Sequence, residues 1–107
     1  MIPSEWLIAF SLILFAFGWI AILVRRNVIV MLMGVQWLFV SVALAFVSFA
    51  RSYAHEGAVW EGAVGESAAV LVLAIAIIHL VVGLSVTLSQ KHVGVSSDVD
   101  DASDLRW

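Results

Sequence analysis

The chain has 107 residues, of which 64% are hydrophobic and only 12% charged, and its mean hydropathy is +1.11. Soluble domains run at about 45–50% apolar and roughly 25% charged residues, so a soluble multidomain enzyme and a disordered chain are excluded. With a net charge of −3 there is no basic surface for nucleic acid, and with no cysteine there is no disulfide, thiolate metal site or cysteine nucleophile.

Three long apolar runs follow one another. The first is Trp6 to Val24, with Ser11 as its only hydroxyl. The second is Val28 to Ala50, interrupted by Gln36, Ser41 and Ser48, and the third is Ser67 to Leu88, holding His79, Ser85 and Thr87. A bilayer core of about 30 Å needs about 20 helical residues at ~1.5 Å each, and every run meets that length without a formally charged side chain. Backbone groups in lipid must satisfy one another, so each run is predicted as a helix despite its many β-branched residues. The fold class is therefore an all-α membrane protein with three transmembrane helices, about 6–24, 28–50 and 67–88. Residues 1–92 form the membrane domain and 93–107 a polar tail. A signal peptide would need a positive start, whereas Glu5 precedes the first run and Arg25 and Arg26 follow it; no cleavage is expected.

Short loops set the predicted orientation. Arg25-Arg26-Asn27 is a tight basic link, while segment 51–66 carries Arg51 against Glu56, Glu61 and Glu66. The positive-inside rule then puts Arg25 and Arg26 in the cytoplasm, the amino terminus outside and the carboxyl tail inside. Trp6 and Trp60 would lie near the outer interface. Segment 51–66, with Gly57, Gly62 and Gly65, reads as a flexible loop.

No phosphate loop, metal-ligand spacing or nucleophile triad is present, so any chemistry must come from polar groups inside the spans. Gln36 lies about 12 Å from the cytoplasmic end of the second run and His79 about 14 Å from that of the third, at ~1.5 Å per residue. Antiparallel helices thus bring both to nearly one depth. Polar side chains at such depth are expensive and usually face protein or water. Alone, Gln36 reads as interhelical glue worth roughly 0.6–2 kcal/mol, and His79 as a neutral ring satisfied by a nearby acceptor. Together they read equally well as proton-path candidates, because an imidazole exchanges protons near neutral pH and an amide orients water.

Small residues mark packing faces. Gly34, Ser41, Ala45 and Ser48 form one stripe on the second helix, and Gln36 points about 200° round from Gly34 at ~100° per residue. Ala76, His79 and Gly83 share a side of the third. Two marked faces on one helix call for neighbours on both sides, and the expectation is that this chain is one strip of a larger assembly.

At these residues the sequence resembles the K subunit of complex I, the proton-pumping NADH:quinone oxidoreductase (the homologue of mitochondrial subunit four-L). The similarity starts with Met1-Ile2-Pro3 and Gly18 and continues through Arg25-Arg26-Asn27 and the run Val28-Ile29-Val30-Met31-Leu32-Met33-Gly34. It includes Ala43-Leu44-Ala45-Phe46, Gly83-Leu84, and the tail Asp98-Val99-Asp100-Asp101-Ala102 with Leu105-Arg106. It covers the whole chain in order; the Arg-Arg-Asn link and the Met-Leu-x-Gly run are its specific parts. The resemblance implies a non-redox membrane subunit between quinone-proximal and antiporter-like partners in a bacterial inner membrane. It implies no cofactor on this chain, with NADH, FMN, iron–sulfur clusters and quinone held by other subunits. It also implies a buried polar axis for proton transfer, marked by a glutamate in each of the second and third helices. Those family positions fall on Gln36 and His79, and both depart from the pattern. Gln36 keeps the shape of Glu without its charge, and His79 keeps an exchangeable proton with the opposite sign.

Two other classes compete. A small subunit of a multisubunit cation/proton antiporter, or of another complex-I-like machine, shares much of this pattern. The other class is a purely structural assembly factor or a stand-alone multidrug-type transporter; the latter usually needs a membrane acid, and no run contains one. Among surface residues, Arg25 and Arg26 read as topology, lipid-phosphate or subunit contacts. Asp98, Asp100, Asp101 and Trp107 read as a docking tail for a cytoplasmic neighbour.

Overall fold

The computed structural model describes residues 2–92, and within them the chain forms three helices: α1 (Ser4–Val24), α2 (Val28–His55) and α3 (Val59–His92). The tail residues Asp98, Asp100, Asp101 and Trp107 lie outside the described residues. All three helices are long and apolar enough to cross a membrane. Pro3 supplies an extended N-cap before α1, where its missing N–H costs no helical bond. Asn27 starts α2: its side-chain Oδ1 accepts from the Ile29 N–H at 2.9 Å, satisfying one of the donors that a helix start leaves open. The link between α1 and α2 is therefore short because Asn27 is already a cap.

The helices are longer than the apolar runs. Segment 51–66, expected as a flexible loop, continues α2 to His55, turns, and re-enters helix at Val59. Hydropathy marks only the length that lipid can solvate. The flanking Arg, Ala, Glu and Ser residues are acceptable helix formers, so the backbone hydrogen bonding runs on into the polar zone. Chain reversal needs only the turn at Glu56-Gly57-Ala58, where Gly57 takes φ +92°, a region that L side chains rarely adopt.

α2 is the shared partner. It packs along both α1 and α3, which have little to do with one another. Its α1 face carries Gly34, Ser41 and Ser48 at seven-residue spacing, and α1 answers with buried Ser11 and Gly18 at the same spacing. A seven-residue repeat keeps a seam facing its partner in a left-handed, coiled-coil-like crossing. A Cβ added to Gly34 would lie 3.0 Å from the Gly18 carbonyl oxygen and 2.9 Å from Ile22 Cγ1, and one added to Gly18 would lie 2.9 Å from the Gly34 carbonyl oxygen. The opposite seam repeats the device: buried Ala43 and Ala50 on α2 meet a helix with buried Gly62, Ala69 and Ala76. A Cβ on Gly65 would stand 2.8 Å from that of Ala50.

The neighbours expected on both marked faces of α2 come from within the chain: α1 occupies the small-residue face and α3 the face carrying Gln36. Ala45 sits at the margin of its stripe and is only half-buried. Seam hydroxyls do not bridge helices either. Ser11, Ser41, Ser48 and Thr87 each donate to a carbonyl one turn back on their own helix, at 2.7–2.8 Å. Their value at the seam is small volume with an internally satisfied hydroxyl.

Candidate functional site

Gln36 sits two turns into α2, on the side that faces α3. It is seven residues before Ala43 and fourteen before Ala50, the buried small residues of the same seam. The seam that uses alanine elsewhere thus places an amide at this level. From α3, His79 reaches the same spot: Gln36 Nε2 and His79 Nδ1 are 3.4 Å apart. The matched depth read from the sequence is therefore a direct side-chain contact. At that length the bond is weak, and it adds orientation more than stability.

The ring has a second neighbour. Phe39 lies one turn along α2, with its centroid 5.5 Å from that of His79 and a tilt of 56° between the planes. Gln36 and Phe39 together hold the imidazole from the α2 side. On its other side His79 is exposed at the surface of this chain, and Gln36 is half-buried. Beside the pair a shallow hollow of about 320 Å³ is lined by Met33, Gln36, Trp37, Val40 and Leu80, so Gln36 is its polar group in an otherwise apolar wall.

An amide nitrogen can only donate, so this contact is a hydrogen bond when Nδ1 accepts, that is, for a neutral ring with its proton on Nε2. That N–H belongs to the edge of the ring not engaged by Gln36. A half-turn of the amide would present Oε1 to a protonated Nδ1 instead. One glutamine can thus pair with either form of the ring, which a hydrocarbon could not do, whereas a carboxylate, which only accepts, needs a proton on Nδ1. Gln36 and His79 can fix water and select a tautomer. Only His79 can itself carry a proton.

The remaining residues singled out by sequence divide by location. Gly34, Ser41 and Ser48 lie in the α1–α2 seam, while Gly83 is half-buried, where a Cβ would meet Leu32 Cδ1 at 2.5 Å. Arg25 and Arg26 are exposed at the α1–α2 link, far along the helices from His55 and Gly57. No three His, Cys, Asp or Glu side chains converge on a possible metal position among the described residues. Sequence reasoning missed Ser11, Gly18, Gly62 and Ala69 as seam residues. Their signal was available, since 11 and 18 on the first helix and 62, 69 and 76 on the third all repeat at seven.

Residues 6–107 match the family model described as NADH-ubiquinone/plastoquinone oxidoreductase chain 4L. Among curated relatives, a protein of Acinetobacter baumannii named NADH-quinone oxidoreductase subunit K is 35% identical over 98% of this chain and 96% of its own length. Proteins of the same name from Leptospira biflexa and Deinococcus radiodurans are 30% and 29% identical, each over 99% of this chain and over 93% and 96% of their own lengths.

Proposed function

The chain belongs to the NADH-ubiquinone/plastoquinone oxidoreductase chain 4L family, the K subunits of NADH-quinone oxidoreductase, and from that membership we propose that it is a non-redox membrane subunit lending Gln36 and His79 to a proton path. It is a multi-pass membrane component of a respiratory complex. NADH, FMN, iron–sulfur clusters and quinone are bound by other subunits. The subunit lies in the bacterial inner membrane between quinone-proximal and antiporter-like neighbours, with Arg25 and Arg26 on the cytoplasmic side by the positive-inside rule.

The observation that carries this reading is the Gln36–His79 contact at 3.4 Å, which unites the amide and the imidazole of the spans at the positions the family resemblance assigns to glutamates. With no acid in either helix at this level, the pair acts by ordering water and setting the ring's tautomer. The acids of the path come from neighbouring subunits, and the exposed edge of His79 faces them. Leaving an amide and an imidazole at this depth has a solvation cost that apolar packing would avoid; a wet, functional location accounts for it.

The test uses the whole complex in sealed membrane vesicles, with pumping measured per NADH oxidised. His79→Ala is expected to lower that ratio, while His79→Glu and Gln36→Glu, which restore an ionisable or hydrogen-bonding group, retain it. Unchanged pumping in His79→Ala would remove His79 from the path.

A further inference from the structure

A second polar feature lies at the opposite end of the α1–α2 pair from Arg25 and Arg26. α2 overshoots the start of α1 there and leaves a hollow of about 600 Å³, lined by Ser4, Glu5, Arg51, Ser52, His55 and Glu56 together with Ile2, Pro3 and Ala54. Its size falls in the range of small-molecule sites, about 300–1,000 Å³. Arg51 is half-buried, yet it makes no hydrogen bond or ion pair among the described residues. The Ser4 and Ser52 hydroxyls, also half-buried, are uncommitted in the same way. By contrast, Ser11, Ser41, Ser48, Ser67, Ser85 and Thr87 all donate to their own helix. The hollow therefore gathers a guanidinium, an imidazole, two hydroxyls and two carboxylates, drawn from the start of α1 and the end of α2.

We propose that this hollow binds the headgroup of an aminophospholipid, with the phosphate on Arg51, Ser4 and Ser52 and the primary ammonium on Glu5 and Glu56. Guanidinium–phosphate pairs are among the stronger charge-assisted contacts. Both charge signs in one hollow favour a zwitterion over a simple anion. A glycerol headgroup would leave the two carboxylates facing no cation, and a choline headgroup has no N–H to donate to them. Depth agrees as well. The hollow lies where the apolar runs stop, between Ala50 and Arg51 on α2 and just before Trp6 on α1. Trp6 is 70% exposed, as expected of an indole at a membrane interface. The lipid would fill the step between helices of unequal length and tie the start of α1 to the end of α2.

The test is photocrosslinking in the intact complex, with a diazirine-bearing residue at Ala54, in vesicles of phosphatidylethanolamine and phosphatidylglycerol. The expected product is a phosphatidylethanolamine adduct on this chain, reduced about tenfold by Arg51→Ala, in line with loss of one charged hydrogen-bonding partner. Arg51→Lys should recover part of it. Glu5→Gln with Glu56→Gln should abolish the preference for phosphatidylethanolamine over phosphatidylglycerol and leave total lipid labelling in place. A crosslink to another subunit in place of lipid would overturn the proposal. So would labelling indifferent to Arg51→Ala in a complex that still assembles, or loss of the adduct in millimolar inorganic phosphate, which would identify a free-anion site.

Discussion

The two seams of α2 are built on one spacing and serve different ends. Toward α1, Gly34, Ser41 and Ser48 meet Gly18 and Ser11, and the backbones approach until a single added methyl would touch a carbonyl oxygen. Toward α3, the same seven-residue repeat carries Ala43 and Ala50 but places Gln36 where a third small residue would continue it, and opposite stands His79. In lipid there is no hydrophobic gain in bringing two helices together, so close backbone approach is the main source of association. The α1 seam takes that gain along its whole length. The α3 seam gives part of it up at one level, and the polar pair there is the return.

That contrast can be broken most severely at the tight seam. Gly34→Leu should abolish incorporation of the chain into the complex, because the new side chain meets the Gly18 backbone and Ile22, and overpacking of this kind costs about 1–3 kcal/mol or more. The check is the amount of this chain that copurifies with the complex after mild detergent extraction. Gly34→Ala should be milder but still harmful, as the carbonyl at 3.0 Å is backbone and cannot turn away. Gly83→Ala on the other seam should cost less than Gly34→Ala. Its nearest obstacle is the Leu32 side-chain tip, which can change rotamer. Comparing the thermal loss of the chain from the complex in these two variants measures the difference between the seams. The smallest effect is expected for Ser41→Ala and Ser48→Ala. Both serines are almost fully buried, at 2% and 0% exposure, but each hydroxyl is bonded within its own helix. Alanine keeps the volume and leaves no partner stranded, so a change within about 0.5 kcal/mol is expected.

How much of this was legible beforehand follows from what each signal measures. Hydropathy located the three spans, because lipid must be matched by apolar length. It missed that α2 continues to His55 and that α3 begins at Val59, because those turns are helical without being apolar. Only Gly57, a glycine taking a positive φ, marks the real reversal. The Gln36–His79 contact was legible as a coincidence of depth, since antiparallel helices convert residue counts into height. Which neighbour each face of α2 meets was not legible. Periodicity assigns residues to faces, and the pairing of faces depends on register between helices. The hollow at Arg51 was invisible for the same reason: it arises from the unequal ends of α1 and α2, which no single helix encodes.

The central claim is that Gln36 and His79 work as one unit, and a double-mutant cycle on pumping per NADH oxidised tests it most directly. The account predicts that Gln36→Leu and His79→Ala each lower the ratio, and that the double variant is no worse than His79→Ala alone. Independent, additive losses, or no loss in either single variant, would contradict it.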